Sequence, residues 1–170
     1  MAAAGFGPIE ARPLAVAAVV MTFAASAATA FAQNASSDAA PYCADLKRVA
    51  ALASTANRFA SIIGRPRDGN FSDTVLPLTG WSDCAIYGTR MYTCDSQALK
   101  NAEEAEKAQA QTVDHVLSCF AGTWLEIKDR SSPRYVVLHP AKGPASMTLS
   151  IDENDNKQFV VRLILFVRGN

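Results

Sequence analysis

Apolar residues recur along this chain with two different periods, and the change of period divides it. Tyr42, Leu46, Val49, Ala53, Ala56, Ala60 and Ile63 follow one another at mostly three or four residues, the spacing that lines one face of an α-helix. Such a helix is expected to begin at Pro41, whose missing N–H is harmless in a first turn, and to stop at Gly64 and Pro66. A second stripe passes through Ala98, Leu99, Ala102, Ala105, Ala110, Val113, Val116, Leu117 and Phe120. It predicts a helix over 96–121, capped by Asp95 or Ser96 and ended by Gly122. Glu106 and Gln109 interrupt this stripe, which puts the middle of the helix near the surface.

After Gly122 the period becomes two. Segments 123–128, 134–139, 146–151 and 158–167 alternate or run apolar between polar turns, and they read as four strands of an antiparallel meander. In the last strand Phe159, Val161, Leu163, Leu165 and Val167 form the inward face. Val160, Arg162, Ile164, Phe166 and Arg168 form the other. In the first strand the alternation assigns Leu125 and Ile127 to the core, leaving Trp124, Glu126 and Lys128 outside with Ser146, Thr148 and Ser150. For 134–139 the pattern leaves either parity open. Segments 81–87 and 90–94 flank Gly88-Thr89 and predict a hairpin. The stretch 65–80, with Pro66, Asp68-Gly69-Asn70 and Pro77, reads as a loop holding one extended piece near 71–76. The expected fold class is α+β, with two amphipathic helices packed on one face of an antiparallel sheet made of the hairpin and the four-stranded C-terminal meander.

The first 32 residues change the picture. Glu10 and Arg12 precede an apolar run over 14–30, which ends in Ala30-Phe31-Ala32 before a small polar stretch. That order is the signature of a signal peptide cut after Ala32, with a cut after Ala30 as the second choice. The run falls short of a membrane span, and no later stretch reaches that length. The chain therefore divides into a cleaved leader (1–32), a flexible tail (33–40) and a single α+β domain (41–170), periplasmic or secreted.

Export gives the four cysteines a meaning. Cys43, Cys84, Cys94 and Cys119 lack the paired spacing of a zinc site, and an even number in an exported domain predicts two disulfides. A helix between Cys94 and Cys119 would hold them more than ~30 Å apart, so that pair is excluded, and Cys43–Cys84 with it. Cys84–Cys94 with Cys43–Cys119 is preferred. It requires a three-residue turn over 88–90, since a two-residue turn would point the two hairpin thiols to opposite faces. Cys43–Cys94 with Cys84–Cys119 stays open.

Candidate chemistry is sparse. Lys plus Arg and Asp plus Glu are 16 each, so the net charge is zero, and no charge excess exists to hold a nucleic acid. No nucleophile, phosphate-loop or metal motif is present. Asp152-Glu153-Asn154-Asp155-Asn156 resembles the start of a calcium loop, but Lys157 stands where that loop needs Gly. No metal and no cofactor is expected. The remaining signal is the outer sheet face, where Trp124, Arg162, Ile164 and Phe166 combine residue types that anchor interfaces. The reading is an exported, disulfide-stabilised binding module that docks a protein partner or a second copy through this face, of inhibitor, immunity or envelope-accessory type, and more a binder than an enzyme. The alternative is a small secreted hydrolase of nuclease type using His115 and His139, the only histidines.

Overall fold

The structure, a computed structural model, describes residues 30–167. The expected leader up to residue 29, and Arg168 of the last strand, lie outside the described residues. The first apolar stripe folds as α1 (Ala30–Ala53), which buries Tyr42, Leu46, Val49, Ala50 and Ala53. The segment 33–40, expected as a loose tail, is helical, and Pro41 lies inside the helix rather than at its start. The helix also ends earlier than expected. The Ser54 and Thr55 N–H groups donate three residues back, to the carbonyls of Ala51 and Leu52, and the Thr55 hydroxyl donates to Leu52 as well. These tighter bonds close the last turn. A 3₁₀ turn over Arg58–Ile62 then keeps Phe59 and Ile62 in the core. The steps of three and four therefore continue past the true helix end.

The expected loop is a hairpin. Strand β1 (Ile63–Pro66) pairs with β2 (Phe71–Thr74) through an irregular register. Gly64 permits the close approach: a Cβ there would lie 3.1 Å from the Cβ and carbonyl oxygen of Asp73. Pro66 is tolerated because β1 is the sheet's edge. Strands β3 (Asp83–Tyr87) and β4 (Met91–Asp95) pair with Tyr87 opposite Met91 and Cys84 opposite Cys94. The turn thus has the three residues required, and the Cys84–Cys94 disulfide is present.

The second helix starts later than its apolar stripe. Residues 96–99 instead run beside the last strand, where Ser96 N–H donates to Val161 and Leu99 N–H to Phe159. The helix α2 (Ala102–Cys119) is capped by Asn101, whose side chain accepts the Glu104 N–H, while the Glu104 carboxylate accepts the Lys100 N–H. Asp95 and Ser96 are unavailable as caps: one binds Arg162, and the other accepts the Val161 N–H. Left-handed Ala121 and Gly122 carry the chain out of the helix. The middle of α2 is exposed at Glu106 and Lys107, as expected, but its inner side is not. Gln109 is buried and its Nε2 donates to the Leu149 carbonyl at 2.7 Å.

The C-terminal meander forms as β5 (Trp124–Glu126), β6 (Tyr135–Pro140), β7 (Ala145–Glu153) and β8 (Phe159–Val167). Strand β8 also pairs with β4, so hairpins and meander make one eight-stranded antiparallel sheet in the order β1-β2-β3-β4-β8-β7-β6-β5. The fold is α+β. One core unites both helices with Ile86 and Tyr92, with Met147 and Leu149, and with Val161, Leu163 and Leu165. The Cys43–Cys119 disulfide ties α1 to the end of α2, with Cα atoms 5.1 Å apart. Of the two pairings left open by helix length, this is the one that forms.

Strand β5 takes the opposite parity from that expected. Trp124 is buried, its ring centroid 4.9 Å from that of Phe120, whereas Leu125 is 55 % exposed. The strand is only three residues long, and its phase follows from the tight exit of α2 at Ala121-Gly122. That phase buries the largest side chain and gives up Leu125.

Candidate functional site

The sheet face turned away from the helices receives alternate residues from six strands. Phe71 and Asp73 come from β2, and Asp83, Ala85 and Tyr87 from β3. They continue into Met91, Thr93 and Asp95 of β4, then Arg162, Ile164 and Phe166 of β8. Ser146, Thr148 and Ser150 of β7 and Tyr135, Val137 and His139 of β6 complete the set. Ser146 and Thr148 are buried among the larger Phe166, Ile164 and Val137 that stand opposite them. The face therefore has a trough of small side chains between bulkier walls. Two buried hydroxyl oxygens on it, Thr93 Oγ1 and Ser146 Oγ, make no hydrogen bond.

At one end this face opens into a cleft of about 470 Å³. Its floor is apolar, made of Phe71, Ala85, Met91 and Ile164 with Thr93. Its rim is charged, with the carboxylates of Asp68, Asp83, Asp95 and Asp155 and the guanidinium groups of Arg67 and Arg162. Both guanidinium groups are already engaged. Arg162 grips Asp95 through two bonds of 2.7 and 2.8 Å and lies 3.6 Å from Asp152. Arg67 reaches Asp73 at 2.5 Å and Asp83 at 2.8 Å. The bidentate pair with Asp95 raises the Arg162 pKa above its ordinary value, so this charge is permanent. Arg67 holds the Asp73 carboxyl below the usual carboxylate range. Four carboxylates against two guanidinium groups leave the rim with an excess of negative charge. An anion entering here meets arginines that are already bonded, while a cation meets carboxylate oxygens with lone pairs to spare.

The structure brings together three of the four residues singled out for this face. Arg162, Ile164 and Phe166 share it. Trp124 does not: it belongs to the core on the helix side. Val160, assigned to the same face, is buried beside 96–98 at the end of the sheet. The acidic partners Asp83, Asp95 and Asp155 escape sequence reasoning because they come from three separate elements, and only the β4–β8 pairing assembles them. In the β7–β8 turn the Asn154 side-chain oxygen accepts the N–H groups of Asn156 and Gln158. That segment is therefore a self-bonded turn.

The two histidines are not brought together. His139 sits on β6 opposite Leu125, on the open face. His115 sits on α2, where its ring lies 4.7 Å from that of Tyr42 on α1. His115 Nε2 is buried between the helices. Burial pushes the Tyr42 phenol far above its ordinary pKa, the Trp81 indole opposing this in part.

Among the described residues no helix is long and apolar enough to cross a membrane. Comparison of the chain with protein-family models, with curated proteins and with solved structures finds no match in any of the three.

Proposed function

We propose that this protein is an exported binding module and that its open sheet face docks a protein partner. The supporting observation is the cleft. It joins an apolar floor to a rim with surplus carboxylate, on the face that neither helix covers. That chemistry suits a partner presenting a Lys or Arg side chain, its methylene stem lying on Met91 and Ile164 and its charged head among Asp83, Asp95 and Asp155. Phe166, Tyr135 and the Phe71–Tyr87 ring pair extend the contact surface along the strands. Two disulfides support an oxidising compartment, and the apolar leader supports export into it. An inhibitor, an immunity protein or an envelope accessory has this size and this economy of chemistry.

The test places a photo-reactive residue at Ile164 and, as a control, at exposed Lys107 on α2. One protein cross-linked from position 164 and not from 107 is the expected result. Its capture should be lost when Asp155→Lys reverses the rim charge. No adduct from position 164, or the same adducts from both positions, overturns the reading.

A further inference from the structure

Away from the cleft, Cys43, His115 and Cys119 form a second cluster. Each offers one metal-ligating atom, and the three atoms lie within 4.8 Å of one another. Two of these atoms are the sulfurs of the interhelical disulfide. The third belongs to an imidazole whose Nε2 is buried and makes no hydrogen bond. The ring lies against this disulfide with no hydrogen bond to its Nε2. His115 and Cys119 are four residues apart on α2 and so share one helix face. The Tyr42 ring packs against the imidazole, tilted by 37°, and its neighbour Cys43 supplies the facing sulfur.

We infer that Cys43, His115 and Cys119 form a zinc-type metal site that the disulfide keeps closed and reduction opens. The geometry is close to what the metal needs. Tetrahedral Zn²⁺ with sulfur at ~2.3 Å and nitrogen at ~2.1 Å spaces its ligands by roughly 3.5–3.8 Å. The cluster reaches that by separating two sulfurs and drawing in one ring. The redox step is an exchange with a dithiol: the Cys43–Cys119 bond breaks, the dithiol becomes a disulfide, and its two protons end on the two cysteine sulfurs. The metal then displaces those two protons, so two thiolates and one neutral imidazole bind a divalent ion as a site of zero net charge. Water takes the fourth position, as in open zinc sites. The same two helices would thus be joined by a covalent link under oxidising conditions and by a metal under reducing ones.

The experiment uses the full chain, reduced by a phosphine that is then removed under argon, and titrated with Co²⁺. The expected result is one equivalent bound, with a thiolate-to-cobalt charge-transfer band and the strong visible bands of a tetrahedral ion. The oxidised protein should show neither. His115→Ala should weaken binding by more than about 100-fold, beyond the 10–100-fold typical of lost outer-shell support. A second measurement needs no variant: Zn²⁺ should protect Cys43 and Cys119 of the reduced chain from alkylation while Cys84 and Cys94 keep their metal-free rates. Absence of the cobalt bands in the reduced chain, affinity indifferent to His115, or equal protection of all four thiols overturns the inference.

Discussion

The two disulfides close loops of very different length, and this gives a quantitative prediction. Cys43–Cys119 spans 76 residues and Cys84–Cys94 spans 10. In the chain-entropy relation at 25 °C, a link across 76 residues is worth about 4.5 kcal/mol and one across 10 about 2.7 kcal/mol. Packing does not favour the long loop, because Cys84 and Cys94 are both buried, 8 % and 0 % exposed, whereas in the other pair Cys119 is 4 % exposed and Cys43 only partly buried. The difference of about 1.8 kcal/mol therefore belongs to the unfolded chain, and it amounts to roughly a twenty-fold change in the folding equilibrium. Urea unfolding of Cys43→Ala/Cys119→Ala and of Cys84→Ala/Cys94→Ala, followed by tryptophan fluorescence and far-ultraviolet circular dichroism, should show the first pair as the more destabilising. The first variant should also have the steeper denaturant dependence, since its unfolded state expands more. A domain of this size is stable by roughly 5 to 15 kcal/mol in total, so the loss of either link should be measurable while the domain still folds. Equal losses, or a greater loss for the short loop, would refute the entropic argument and assign the stabilisation to the buried core around Cys84 and Cys94.

Three further predictions follow from single contacts. Gln109→Met keeps the volume but leaves the Leu149 carbonyl without its donor; a loss of about 1–3 kcal/mol in denaturant unfolding is expected, and an unchanged midpoint would contradict it. Because Arg67 depresses the Asp73 carboxyl, that contact stabilises the fold above the ordinary carboxylate range and is lost as pH falls through the depressed value. The gap in melting temperature between the protein and Asp73→Asn should hold at neutral pH and close below about pH 4; a gap independent of pH would rule the ion pair out. Gly64→Ala drives a methyl to 3.1 Å from the Asp73 carbonyl oxygen, for which about 1–3 kcal/mol of destabilisation is expected in thermal melts, and an equal melting temperature would show that the β1–β2 hairpin yields freely.

Local pattern carried most of the fold. Alternation in 158–167 identified both faces of β8, and Leu163 and Leu165 are fully buried as that alternation requires. Helix length excluded Cys94–Cys119 and left two pairings, and register tied the preferred Cys84–Cys94 link to the three-residue turn that forms. Helix ends were less legible. Asp95 and Ser96 have the chemistry of caps, but distant partners on β8 recruit them for the sheet. Trp124 shows the same limit in a strand too short for its own alternation to set its phase. Of the candidate site, Arg162, Ile164 and Phe166 were readable from one strand, since neighbours at a spacing of two share a face by covalent geometry alone. The carboxylates around them were not, because Asp83, Asp95 and Asp155 meet only when β4 pairs with β8. Nor was the place of His115, which depends on where α1 lies against α2. The sequence by itself determined the α+β class, the course of the meander strands and which cysteine pairing could not form, since periodicity and helix rise act over short stretches of chain. Which side chains face one another across the sheet and between the helices was decided only by tertiary packing, where burial of the largest apolar surfaces overrides local preference.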